Sequence, residues 1–180
     1  MRLLDSLARL EEEEGLHLGR LLIILKAMSG QKLDQPIAGL TKLAKLDFLL
    51  RYPQYLERAL QARHVNPKAV ATEKHEKHSV ESAMVRYRFG PWDQRYRKFL
   101  NLLSARGLVK VSIEGRKVLI FITDKGLQVA NALASADAFA LVDKRAQLLR
   151  HFDLTATNLM NFIYATFPEI ASFRSGKAIR

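Results

Sequence analysis

The chain has no cysteine among its 180 residues. That excludes disulfides, thiol nucleophiles and cysteine-bound zinc. Long apolar runs are missing as well. The longest, such as LLIIL at 21–25, are far too short to cross a bilayer. The opening MRLLDSLARL mixes Arg2, Asp5 and Arg9 among its leucines, unlike a secretory leader. A reducing cytoplasm and no membrane contact are the expectations.

The motifs of common chemistries are missing too. There is no G-x-x-x-x-G-K-[ST] loop for nucleotide phosphates and no G-x-S-x-G elbow for a nucleophile. Asp93, Glu114 and Asp124 fall at turn and cap positions, not in an acidic cluster that would hold two metal ions. His17, His64 and His151 have no evident acid or nucleophile beside them in the sequence. His75 and His78 are three residues apart, with Glu76 as the one further ligand nearby, so a solvated loop fits them better than a metal site. The reading is of a protein that is not an enzyme, with no catalytic residue, no metal, no cofactor and no small-molecule substrate.

Acid is in short supply. Lysine and arginine number 29 against 18 acidic residues, a formal charge of +11 and a pI near 10.1. Such an excess favours a polyanionic partner, nucleic acid first. An apolar share of 48% is ample for a core.

Apolar periodicity gives a mainly helical chain. Leu3, Leu4, Leu7 and Leu10 form a first helix that runs into EEEE at 11–14 and weakens or breaks at Gly15. The acid run reads as a solvated face. A second helix, 16–28, is apolar nearly all round and belongs in the core. A loop at 31–39 precedes a helix at 40–50, and Pro53 marks a break before a short helix at 55–62. Residues 64–79 read as a mobile charged loop. Gly90-Pro91 is a turn signal, and Asp93 is a fair N-cap for a helix over 94–106 that stops at Gly107. Tyr96, Phe99, Leu100 and Leu103 share its inner face. Gln94, Lys98, Asn101 and Ala105 lie opposite, with Arg97 and Ser104 flanking one side and Leu102 the other.

LVKVSI at 108–113 and VLIFI at 118–122, around Glu114-Gly115-Arg116-Lys117, make a β-hairpin. Thr123 then caps a helix. Phe139, Val142, Ala146 and Leu149 form the next apolar stripe. A further helix starts at Asp153–Thr155, buries Leu159, Phe162, Ile163 and Phe167, and stops at Pro168. The tail IASFRSGKAIR reads as extended and basic.

Helices, a turn, an amphipathic helix and a hairpin in this order resemble a winged helix-turn-helix with added N- and C-terminal helices. Residues 1–133 would hold the first helices and the winged-helix domain, and 134–180 a helical extension and basic tail. The face of helix 94–106 then offers Gln94, Arg97, Lys98 and Asn101 to DNA. Arg116 and Lys117 at the hairpin tip suit a phosphate or the minor groove. Arg86, Arg88 and Arg95 surround the entrance. Tyr87, Phe89, Trp92 and Tyr96 fit core and turn anchors better than base-stacking platforms. Leu102, with Phe173, Arg174 and Lys177 of the tail, is a candidate protein contact.

Three runs carry a family resemblance: LTKLAKLDFLLRYPQYLERAL at 40–60, VRYRFGPWDQRY at 85–96 and NFIYATFPEI at 161–170. Together they resemble the small middle subunit of bacterial ABC-three-component systems, which include the Lamassu anti-phage defence complexes. The resemblance implies a non-enzymatic accessory subunit. Its partners would be an SMC-like coiled-coil ATPase and a nuclease effector, held inactive until foreign DNA ends are sensed. It assigns no role to any individual residue. The alternative reading is a dimeric winged-helix transcriptional regulator that binds operator DNA through helix 94–106.

Overall fold

The computed structural model describes residues 2–70, 84–87, 90–173 and 177–179; for 2–11 and 85–87 the description is of the backbone alone. The fold is mainly helical with a small sheet. Helix α1 spans Arg2–Met28, strand β1 Ile37–Ala38, α2 Leu40–Arg51 and α3 Pro53–Ala62. Strands β2 (Val85–Tyr87) and β3 (Gly90–Trp92) precede α4 (Tyr96–Ala105). Strands β4 (Val109–Glu114) and β5 (Lys117–Ile122) lead into α5 (Asp124–Ala134). Helices α6 (Asp137–Leu148), α7 (Ala156–Thr166) and α8 (Pro168–Ala171) complete the chain. Among the described residues no helix is long and apolar enough to cross a membrane.

The centre is α2. Every residue from Lys42 to Leu50 is buried, charged ones included, because α1, α3, α6 and α7 pack around it with β3. The run Leu21–Leu25 of α1 is buried throughout, as its all-round apolar character predicts. Helix α6 lies against α1 and α5, and α7 against α2 and α3. Phe139, Ala146, Leu149, Leu159 and Ile163 belong to the same buried cluster as the α1 and α2 leucines.

Several boundaries follow the sequence closely. Pro53 is the first residue of α3, where its missing N–H costs nothing. Gly107 ends α4 in the left-handed region at φ 70°. Its N–H reaches the Ser104 carbonyl and the Leu108 N–H the Leu103 carbonyl, both at 2.9 Å, the paired bonds of a Schellman stop. The Thr123 hydroxyl accepts from the Gly126 N–H at 3.0 Å and so caps α5. There is no room for a side chain at Gly126: a Cβ there would sit 2.0 Å from the Leu108 carbonyl oxygen. Thr155 caps α7 in the same way through the Asn158 N–H.

Other expectations are corrected. Gly15 does not break the first helix; α1 is continuous. One glycine costs roughly 1 kcal/mol in a helix interior, which the buried second half of α1 outweighs. The 31–39 loop contains β1, which pairs antiparallel with β5 through Ile37↔Ile120. Gly90-Pro91 is no turn: both residues sit in β3, opposite Tyr87 and Arg86 of β2. Asp93 does not cap the following helix. Arg95 occupies that position, and Asp93 instead accepts from the Arg95 N–H at 3.0 Å, a local Asx turn. Of the expected 64–79 loop, Pro67–Val70 form a 3-10 turn with Val70 buried. His75 and His78 lie outside the described residues. Pro168 ends α7 and also begins α8.

The tail is not extended and free. Ile170 and Ile179 are fully buried. The Ile179 N–H donates to the Met84 carbonyl at 2.7 Å, and the Tyr52 hydroxyl donates to the Ile179 carbonyl at 3.3 Å. The apolar residue near the end of a basic string draws the chain back into the core.

Candidate nucleic-acid interface

The geometry begins with a buried charge network beneath α4. Arg20 of α1 donates to Asp47 of α2 at 2.5 and 3.3 Å. The Tyr96 hydroxyl donates to the same carboxylate at 2.6 Å. Burial pushes the Asp47 carboxyl up. The charge and hydrogen bond of Arg20, the charge of Arg51 and the Tyr96 hydroxyl outweigh that and hold it below the usual carboxylate range. Burial and the neighbouring Asp47 push the Tyr96 hydroxyl well above its ordinary value. The anchored ring turns Tyr96 inward, and Phe99, Leu100 and Leu103 are buried with it. Trp92 packs on Tyr96 with ring centroids 5.4 Å apart, the anchoring role the sequence suggests for both. Phe89 lies outside the described residues.

A second cluster covers the N-terminal end of α4. The Arg95 guanidinium donates to Asp93 at 2.8, 3.0 and 3.3 Å and to Glu13 of α1 at 3.2 Å. It also meets His17 Nε2 at 3.1 Å and lies over the Phe99 ring at 5.4 Å. Arg51 reaches Asp93 at 3.4 Å. Burial raises the Asp93 carboxyl, but the bonds from Arg95 and the charges of Arg95 and Arg51 prevail and bring it down to about 2. His17, read as having no acid beside it, is buried with Glu13 Oε1 at 3.5 Å and Arg20 at 2.7 Å, and stacks on Phe99. The acid run is correspondingly not a purely solvated face. Glu13 binds Arg95, and Glu14 forms an ion pair with Lys98.

The proposed contact residues therefore separate into groups. Gln94, Arg97 and Asn101 are exposed, and Arg97 makes no ion pair among the described residues. Lys98 is exposed but faces Glu14, and Arg95 is partly buried inside the acid cluster. Arg116 and Lys117 are exposed at the hairpin tip. The hairpin forms as expected, with Glu114 opposite Lys117 and a two-residue Gly115-Arg116 turn. Arg86 lies on β2 with its backbone alone described, and Arg88 and Arg174 lie outside the described residues. Leu102 is half-buried on the flank of α4. Phe173 packs against the core, and the Lys177 ammonium sits 4.3 Å from its ring centroid.

Sequence reasoning missed the buried network. Its signal was available: Arg20 interrupts an apolar run, and Asp47 falls among Leu46, Phe48, Leu49 and Leu50, with Arg51 closing that run. Charges in such settings mark internal pairs.

Among the described residues no three His, Asp or Glu side chains come together to hold a metal ion. No protein-family model, no curated protein and no solved structure matches this chain.

Proposed function

We propose that this chain is a non-enzymatic winged-helix subunit that grips a nucleic-acid backbone with the outer face of α4 and the tip of the β4–β5 hairpin. The single observation that carries the reading is the arrangement around Arg97. It is exposed, next in the chain to Lys98 and two residues after Arg95, the cations that α1 carboxylates hold, and about one turn from exposed Gln94 and Asn101. Only the link 106–108 separates this helix from a hairpin whose tip is basic. Side chains of this kind on a helix reach base edges and phosphates in a major groove, while a basic hairpin tip reaches the next phosphate or the minor groove.

The likeness of 40–60, 85–96 and 161–170 to the middle subunit of ABC-three-component systems supplies the setting. In that reading the chain works in Lamassu-type anti-phage defence, bridging an SMC-like ATPase, a nuclease effector and DNA in the cytoplasm. Leu102 on the flank of α4, and Phe173 and Lys177 on the returning tail, form its protein-facing surfaces.

Two measurements test this. Affinity purification from native cells, followed by mass spectrometry, should recover a large coiled-coil ATPase and a nuclease. Fluorescence anisotropy with a labelled duplex should show binding that Arg97→Glu weakens. Retention of full DNA affinity by Arg97→Glu, with no ATPase recovered, would overturn the proposal.

A further inference from the structure

Strand β4 is an outer strand. Among the described residues the sheet order is β1-β5-β4, so β5 is paired on both sides and β4 on one. The Thr123 N–H donates to the Leu108 carbonyl at 3.1 Å. In the antiparallel register Lys110↔Phe121 and Ser112↔Leu119, the main chain of residues 110, 112 and 114 therefore faces β5. The N–H and C=O groups of Val111 and Ile113 point to the free side.

The side chains on that strand are unusually exposed for their type. Ile113 is 74% exposed and Val111 37%. They share a sheet face with Val118 and Ile120, but only the lower end of this face reaches the core: Val109, Ile120 and Ile122 are buried. The upper end overhangs into solvent. An open strand with an apolar overhang is a template for pairing.

The strand sequence is complementary to itself. Laid antiparallel on a second copy and centred on Ser112, VKVSIE places Val111 opposite Ile113 of the other chain and Lys110 opposite its Glu114. Two apolar pairs then form on one face and two opposite-charge pairs on the other. Val111 and Ile113 exchange four main-chain hydrogen bonds with the partner strand. An exposed lysine on an edge usually prevents pairing, but here it meets a glutamate.

We infer that β4 pairs with β4 of a second copy of this chain, joining two hairpins into one continuous sheet about a two-fold axis. The pairing does not depend on what α4 binds. A single strand edge is a small interface, so the dimer is weak and reversible. Each copy carries +11, so raising salt relieves repulsion and strengthens the dimer, the opposite of its effect on phosphate binding.

The test is sedimentation equilibrium of the purified full chain without nucleic acid, from micromolar to near-millimolar concentration, at low and high salt. The expected result is a monomer–dimer equilibrium that tightens with salt. Lys110→Glu should weaken the dimer about tenfold or more, because it creates two Glu–Glu pairs, and the double swap K110E/E114K should restore it. Circular dichroism checks that each variant is folded. A monomer at every concentration and salt overturns the inference. So does a dimer indifferent to Lys110→Glu, or a lost dimer that the folded double swap fails to recover.

Discussion

The Tyr96 hydroxyl donates to Asp47 Oδ2 at 2.6 Å with both side chains buried, tying the first turn of α4 to the middle of α2. This bond fixes which way α4 faces, and hence which residues it shows to solvent. Tyr96→Phe removes the donor but leaves Asp47 its Arg20 partner. The expected cost is about 1–2 kcal/mol in chemical denaturation. Asp47→Ala should cost more, roughly 3–5 kcal/mol, because it strands the Arg20 charge in the interior.

Stability should fall in acid. The Asp93 carboxyl sits at about 2 in the folded chain, below its ordinary 3.8, and Asp47 is depressed as well. A depressed carboxylate contributes stability that is fully present above its unfolded value and is lost as pH falls through its folded value. For Asp93 the window is therefore from about 4 down to about 2, with a contribution on the order of 1–2 kcal/mol. Denaturation midpoints measured across that window should drop, and Asp93→Asn should flatten part of the slope.

Local signals in the sequence reached much of this structure. Gly107, Thr123 and Thr155 each end or begin a helix through bonds within a few residues, so their positions were legible. The inner face of α4 and the β4–β5 hairpin followed from periodicity. What escaped depends on distant partners. The pairing of Ile37 with Ile120 spans nearly half of the chain, and no local pattern marks a two-residue strand. The Glu13–Arg95 and Glu14–Lys98 pairs join residues about eighty positions apart, which turned an apparently solvated acid run into an internal clamp. Gly90-Pro91 carries a turn signature, yet pairing with β2 draws it into a strand.

The tail belongs to the core. Ile179 is fully buried and its main chain bonds Met84 and Tyr52. Ile179→Ala should lower stability by about 2–4 kcal/mol. Deleting 173–180 should do at least as much, read as a lowered thermal midpoint. The unchanged midpoint expected of a free basic string would contradict this placement.

The acid run should restrain the basic face. Glu13 and Glu14 hold Arg95 and Lys98, so under the proposed function phosphates would compete with them for the same cations. The double variant Glu13→Gln, Glu14→Gln raises the net charge by two, releases Lys98 from its acid and leaves Arg95 held by Asp93. Nonspecific duplex affinity at low salt should rise by roughly threefold to tenfold in anisotropy titrations.

The most direct test of the proposed function is the salt dependence of duplex binding. Log affinity should fall linearly with log salt concentration for the unaltered chain. Arg97→Ala with Arg116→Ala should reduce that slope by about 2, one phosphate contact for each residue, without loss of folding. An unchanged slope in the double variant, or no measurable duplex binding at low salt, would contradict the account.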